Sequence, residues 1–198
     1  NKTIYLRFEA VNSYAEVYLN GKLVTQHSGG YGAFNIQLPN ELLLKDKNTI
    51  LVKVDNQNID IPPLSGDFTI FGGIYRDVWL LGVEDSHFDL DNFGSQGVFV
   101  STPTITDKHA LINIKGKVSK NKSDRLILKY SITIKDSLVH TSKTTLSTDE
   151  FSIQNVKITH PKLWSPDSPN LYSVKLQLIK NKKPIDELPL SLKEKVVL

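Results

Sequence analysis

Along most of this chain an apolar side chain alternates with a polar one, and this period of two restricts the fold more than any other feature. In the first alternating segment, Ile4, Leu6 and Phe8 face one way while Tyr5 and Arg7 face the other. The same alternation recurs at residues 15–19, 34–38 and 50–54. Strands of this kind bury one face and leave the other in water, which is typical of antiparallel sheets. The sequence therefore predicts an all-β protein.

The alternation stops between residues 55 and 73 and then returns, which gives the chain its internal organisation. Prolines and glycines are dense in that interval and predict a long surface loop. In roughly the last 110 residues, about seven short strands separated by turn residues are typical of an immunoglobulin-like sandwich. We place two domains at residues 1–86 and 87–198. Trp164 is a candidate to fill the core of the second, although three neighbouring prolines place it on a loop.

Two short motifs contain glycine where a turn or a close approach would need it. Asn20-Gly21 lies between two alternating segments, and both residues tolerate positive φ, which predicts a type I′ hairpin turn. In GGIYRD, residues 72–77, the paired glycines indicate a close backbone approach or a positive φ. Arg76 and Asp77 point to opposite faces of a strand, so we expect each to meet a partner on a neighbouring segment.

Composition excludes several classes of function. Without cysteine there is no disulfide, thiolate catalysis or cysteine-ligated metal, and the five histidines are too isolated in sequence to predict a metal site. The net charge is only +3, and the few arginines and scattered lysines form no basic face for nucleic acid. No segment approaches the roughly 18 apolar residues that a membrane span needs.

Three segments together resemble one enzyme family. They are IYLRFEAVNSYAEVYLNG at residues 4–21, followed by GGYGAF at 29–34; FGGIYRDVWL at 71–80; and KLWSPDSPNLYSV at 162–174. In order and spacing they resemble the sugar-binding jelly roll and the following immunoglobulin-like domain of glycoside hydrolase family 2. This resemblance implies two antiparallel β-sandwich domains, with the jelly roll truncated at its start and the catalytic (β/α)₈ barrel absent.

The resemblance implies the activity of a retaining glycosidase, most closely a β-galactosidase. The family's two catalytic glutamates lie on the barrel, so this fragment is expected to have no catalytic residue and to be inactive alone. The family's substrate contacts correspond to Asn20 and Asp67. Asp67 is also the residue that would bind a sodium ion in the full enzyme. We expect no cofactor in the fragment, and sodium or magnesium in the full-length enzyme.

Other readings of these residues remain open. Asn20 would occupy a type I′ turn whatever the function, whereas Asp67 lies in a long loop with no evident structural need. Tyr31, Phe68 and Phe71 either form a stacking platform for a sugar ring or pack in the core. As a whole, the chain is alternatively a free-standing carbohydrate-binding or adhesion module, or a structural sandwich pair from a surface protein.

The expected partners follow from the resemblance. They are a carbohydrate with a terminal β-galactoside and the catalytic barrel of the same protein, with neither nucleic acid nor membrane. Missing early strands would leave unpaired backbone groups on the first domain, which predicts association into a homo-oligomer through an exposed sheet edge. We expect a bacterial periplasmic or secreted location rather than a cytoplasmic one.

Overall fold

The computed structural model describes residues 2–57, 70–92, 94–121, 123–190 and 196–197, and it confirms the all-β fold class. The only helical element of that part of the chain is a 3-10 turn at Asn40–Leu42, and none of its helices could cross a membrane. The strands are β1 Lys2–Phe8, β2 Val11–Asn12, β3 Tyr14–Leu19, β4 Lys22–Ser28, β5 Phe34–Gln37, β6 Ile50–Asp55, β7 Gly73–Ile74, β8 Val78–Glu84, β9 His87–Phe88, β10 Val98–Ile105, β11 His109–Ser119, β12 Leu126–Ile134, β13 Ser137–Leu146, β14 Glu150–Thr159, β15 Leu171–Lys180, β16 Lys183–Leu190 and β17 Val196–Val197.

The chain divides into two compact units. Unit 1 comprises Asn1–Val83 and Leu90–Ser95, and unit 2 comprises Glu84–Asp89 and Gln96–Leu198. Residues 84–89 belong to unit 2 and residues 90–95 belong to unit 1, so the chain returns once to unit 1 before it completes unit 2. The domain boundary that we placed between residues 86 and 87 lies within this interval.

Unit 1 contains three small sheets, with strand orders β5-β1-β8, β4-β3-β6 and β2-β7. The alternation in β1 produces its core, because Leu6 and Phe8 are buried opposite Ile36 and Phe34 of β5. The Phe8 and Phe34 rings stack with their centroids 5.0 Å apart. The predicted turn between β3 and β4 is confirmed, since Asn20 and Gly21 both have positive φ, of 51° and 81°.

Unit 2 is built from two larger antiparallel sheets. One has the order β10-β11-β14, with β9 also paired to β11, and the other has the order β13-β12-β15-β16, with β17 also paired to β15. Ile112 and Ile114 of the first sheet share one buried cluster with Leu128, Ile132 and Leu176 of the second. The core therefore lies between the two sheets, as in a sandwich.

Trp164 does not plug this core. Its side chain is 43% exposed, whereas Tyr172, eight residues later, is 2% exposed. The Tyr172 hydroxyl accepts a hydrogen bond of 2.8 Å from the backbone N–H of Lys162. Three prolines hold Trp164 in a loop outside the strands, so the period of two that directs side chains inward does not apply to it.

Candidate functional site

Three of the sequence motifs meet at one corner of unit 1. β2 pairs with β7, which places Asn12 opposite Gly73. The Asn12 side-chain amide donates a 2.7 Å hydrogen bond to the backbone carbonyl of Phe71. The Tyr75 hydroxyl donates a 2.6 Å bond to the carbonyl of Gly30. We call residues 12–13, 29–32 and 71–76 the motif corner.

The paired glycines of this corner serve both of the purposes that the sequence indicated. A side chain at Gly72 would begin 2.2 Å from Nδ2 of Asn56, so any larger residue would displace the Asn56 side chain. Gly73 has a φ of +80°, which side chains disfavour. Gly30 likewise lies against Asn12, since a Cβ there would be 2.4 Å from Oδ1.

Buried polar groups hold the corner together. Asn12 and Ser13 are only 7% and 2% exposed, and a cis peptide bond joins them. The Ser13 backbone N–H and hydroxyl both donate to the carbonyl of Asp55, at 3.3 and 3.1 Å, and its own carbonyl accepts a 2.8 Å bond from Gly29. Buried polar groups with all these partners position a backbone rigidly.

Exposed aromatic rings lie on this polar framework. Tyr31 is 52% and Phe71 is 62% exposed, so core packing is wrong for both. The Phe71 ring stacks on Tyr75 at 6.3 Å, and the Arg76 guanidinium lies 5.5 Å from the Tyr75 ring centroid. Exposed rings beside a few polar groups are a typical lining of small-molecule sites.

The side-chain partners predicted for Arg76 and Asp77 on neighbouring segments are not found among the described residues. Within the described residues neither side chain forms an ion pair, and Arg76 instead packs over the neighbouring Tyr75. Only the backbone of Asp77 reaches a neighbouring segment, where its carbonyl accepts a 3.0 Å bond from Glu9.

Asn20 lies at the other end of β3 from the motif corner. With about 3.3 Å per residue along a strand, the six residues of β3 separate it from Ser13 by roughly 20 Å. Its amide N–H groups donate to the Leu42 carbonyl and to Asn48 Oδ1, at 2.7 and 2.9 Å, and its Oδ1 accepts from Thr49 at 2.8 Å. The side chain thus ties the hairpin turn to a neighbouring loop, and its sugar contact stays a prediction.

Asp67 and Phe68 lie outside the described residues, so the sugar and sodium contacts of Asp67 also stay predictions. The described flanks of their loop lie side by side at the motif corner, because Asn56 abuts Gly72.

His27 is a feature of this region that the sequence did not reveal. Its ring stacks on Phe34 with centroids 3.8 Å apart, and its buried Nε2 has no hydrogen-bond partner in the described part of the chain. Burial lowers the pKa of His27, which keeps the ring neutral at neutral pH. Its position two residues before the glycine run was the one available signal.

The described residues show no group of three or more His, Asp or Glu side chains that could hold a metal ion. Their closest ion pair in unit 1 joins Arg7 to Glu9 at 2.7 Å. That arginine also donates a 2.8 Å bond to the carbonyl of Gly94, so the pair fastens residues 90–95 to β1.

Two family profiles match the chain in succession. The profile described as "Glycosyl hydrolases family 2, sugar binding domain" matches residues 1–84, and "Glycosyl hydrolases family 2" matches residues 96–192. Among curated proteins, a β-glucuronidase of Bacteroides fragilis is 32% identical over 97% of this chain, and a β-galactosidase of Thermoanaerobacter pseudethanolicus is 31% identical over 93%. Among solved structures, a β-glucuronidase of Bacteroides uniformis matches 95% of the chain with a TM-score of 0.88 and 40% identity.

The chain spans only about a quarter of each of these relatives. It covers 29% and 25% of the two curated proteins and 24% of the chain in the solved structure.

Proposed function

Since the chain belongs to glycoside hydrolase family 2, we propose that it is a non-catalytic part of a retaining glycosidase and contributes the motif corner to the substrate pocket. The observation that carries this proposal is the pair of exposed rings, Tyr31 and Phe71, on a polar framework that is buried and hydrogen-bonded. A rigid, hydrogen-bonded framework that holds aromatic side chains at the surface is typical of binding sites.

Bond cleavage in this proposal belongs to residues outside these 198. A retaining glycosidase needs two carboxyl groups about 5 Å apart, one as nucleophile and one as acid and base. The described residues of the motif corner include no carboxylate, and their one charged side chain is the cation Arg76, which can do neither job. We therefore propose that the fragment shapes the pocket and supports the catalytic barrel but hydrolyses nothing by itself.

For the substrate we propose a terminal β-galactoside, with a β-glucuronide as the second candidate. The second is favoured by the 40% identity to the Bacteroides uniformis β-glucuronidase and by the exposed Arg76 guanidinium, which suits a sugar carboxylate.

The experiment is a panel of aryl β-galactoside, β-glucuronide and β-mannoside, offered to this chain and to the full-length protein. We expect turnover by the full-length protein alone, and the best aryl glycoside identifies the sugar. Turnover by the 198-residue chain would contradict the assignment of bond cleavage to residues outside it. Failure of both proteins would contradict the hydrolase assignment and favour a carbohydrate-binding module, which direct calorimetry with lactose and glucuronic acid would then detect.

The contribution of the motif corner is tested with Phe71→Ala and Tyr31→Ala in the full-length protein. We expect each to lower kcat/KM roughly 5- to 30-fold, since aromatic contacts contribute about 1–2 kcal/mol. Trp164→Ala is the matched control, because that ring is also exposed but lies in unit 2. Equal kinetics for all three variants would contradict the assignment of substrate contact to this corner.

A further inference from the structure

Strand β13 of unit 2 is a free sheet edge. It pairs with β12 on one side, and within the described part of the chain no strand pairs with its other side. From His140 to Leu146 the pairing with β12 is unbroken over seven residues, after a bulge at Val139. This edge therefore offers a regular row of backbone N–H and C=O groups to another strand.

The other three edges of unit 2 are interrupted. β10 contains Pro103 and an irregular register there, β14 has a bulge at Asn155 with a φ of +58°, and β16 contains Pro184 beside a bulge. Proline and bulges are the usual means of preventing edge pairing. β13 has neither in residues 140–146, and its one lysine there, Lys143, discourages pairing with any strand that lacks an opposite charge. It is therefore the edge most suited to accept an acidic strand.

The charges along this edge identify the kind of strand that fits. Lys143 lies directly opposite Lys129 of β12, and both side chains are exposed. Neither lysine forms an ion pair with a described residue. Like charges directly opposite each other destabilise a sheet, and an opposite charge on the next strand would relieve this.

The same two lysines argue against a second copy of this chain as the partner. Self-pairing across the full seven-residue edge has its two-fold axis at Lys143 and puts that lysine opposite its own copy. The row would then hold four lysines, Lys129 and Lys143 of each copy, which would add to the repulsion that already exists between Lys129 and Lys143. Charge complementarity instead favours a strand with a carboxylate at this position.

A polar cleft of about 340 Å³ lies beside the edge, between β13 and β14. Hydroxyl side chains line it, among them Ser142 and Thr144 from β13 and Ser152 from β14. Tyr130, which is only 7% exposed, also lines it. A strand added to β13 would direct its alternate side chains into this cleft, where small polar groups meet hydroxyl partners.

We propose that β13 is a docking edge for an extended segment of another polypeptide. That segment adds as an antiparallel strand along residues 140–146, places a carboxylate beside Lys143 and Lys129, and directs small hydroxyl side chains into the cleft. Backbone hydrogen bonds supply the affinity, and the carboxylate and the small side chains supply the specificity.

The test uses the full-length protein and the fluorescently labelled peptide Ile-Thr-Ser-Glu-Ser-Thr-Ile, followed by anisotropy. A second peptide with lysine in place of the central glutamate is the matched control. We expect the glutamate peptide to bind at least 5-fold more tightly at low salt. Lys143→Glu, a change at an exposed position, should reverse that order, and the peptide should slow amide hydrogen exchange in β13 but not in β8.

Three outcomes would overturn the proposal. They are no binding of the glutamate peptide up to millimolar concentration, equal binding of both peptides, and an order that Lys143→Glu leaves unchanged. Sedimentation velocity provides a separate check on the identity of the partner. Dimerisation of the wild-type chain that Lys143→Thr strengthens would assign this edge to a second copy and would likewise overturn the proposal.

Discussion

The two units follow the same alternating pattern, yet they differ in how completely they bury it. Among the described residues, the main apolar cluster of unit 2 contains 19 buried residues and that of unit 1 contains nine. In unit 1, Val78, Trp79 and Leu80 are consecutive along β8 and are 42%, 51% and 66% exposed. Consecutive strand residues face opposite sides, so both faces of this part of β8 are largely uncovered by the residues that the structure describes.

The difference shows that alternation specifies a strand but not what covers it. In unit 2, β12 has a neighbouring strand on either side and the opposite sheet above its apolar face, so Leu126, Leu128 and Ile132 are fully buried. β8 is an edge strand of a three-stranded sheet and has no such cover among the described residues. Burial therefore depends on position in the sheet more than on the side chain itself.

The largest expected effect is on the core of unit 2. Leu128→Ala should lower the free energy of unfolding of that unit by about 3 kcal/mol, because it leaves a cavity in a packed interior. The same change at Leu80, which is 66% exposed in unit 1, should change it by less than about 0.5 kcal/mol. Urea denaturation followed by circular dichroism measures both, and similar losses would show that β8 is covered in solution.

A smaller effect is expected from a charged network in unit 2. The Asp124 carboxylate accepts bonds from Lys180 at 2.7–2.8 Å and from the Ser86 hydroxyl at 2.6 Å. These bonds, first that of Lys180 and then that of Ser86, lower the pKa of Asp124 below its ordinary 3.8. Asp124→Asn should cost about 1–3 kcal/mol at pH 7, because the lysine then loses its charged partner.

The sign of the pH dependence follows from the depressed pKa. The stabilisation by Asp124 is fully present above pH 3.8 and is lost as the pH falls through the lower pKa of the folded state. The stability difference between wild type and Asp124→Asn should thus be constant from pH 7 to about 5 and vanish in strong acid. A difference that persists unchanged at pH 2 would assign the effect to packing. The control is Glu187→Gln, which breaks an exposed ion pair with Lys175. It should lower the midpoint of urea denaturation far less than Asp124→Asn does.

The smallest expected effect compares one tyrosine hydroxyl in each unit. Tyr75→Phe removes the 2.6 Å bond to Gly30 in unit 1, and Tyr172→Phe removes the 2.8 Å bond from Lys162 in unit 2. Each should cost about 1 kcal/mol. Only Tyr75→Phe should speed amide exchange at residues 29–32, since its bond tethers that segment. Faster exchange there in both variants would contradict a local role.

Much of the fold could be predicted from the sequence because the rules involved are local. The alternation of apolar and polar residues predicted the strands. Asn20-Gly21 predicted the turn, because few residues accept two successive positive φ values. Gly72 and Gly73 likewise indicated a constraint on the backbone. The identity of the neighbour behind that constraint, Asn56, appears only when distant segments meet.

The candidate site was less predictable for the same reason. Trp164 was a candidate for the core and is exposed, because residues in a proline-rich loop have no alternating direction. The sequence favoured core packing for Tyr31 and Phe71, and only the folded structure shows that both are exposed. Asn20 and the motif corner belong to neighbouring motifs in sequence, yet the length of β3 separates them.

The sequence by itself determined the all-β class, the positions of most strands and the resemblance to one hydrolase family, because side-chain alternation, turn residues and motifs are properties of adjacent residues. Only the tertiary structure decided that Asn12, Gly30 and Tyr75 form one hydrogen-bonded corner, and that Lys129 and Lys143 lie side by side at an open edge. Those features depend on the register and pairing of strands distant in sequence, which the burial of whole faces selects.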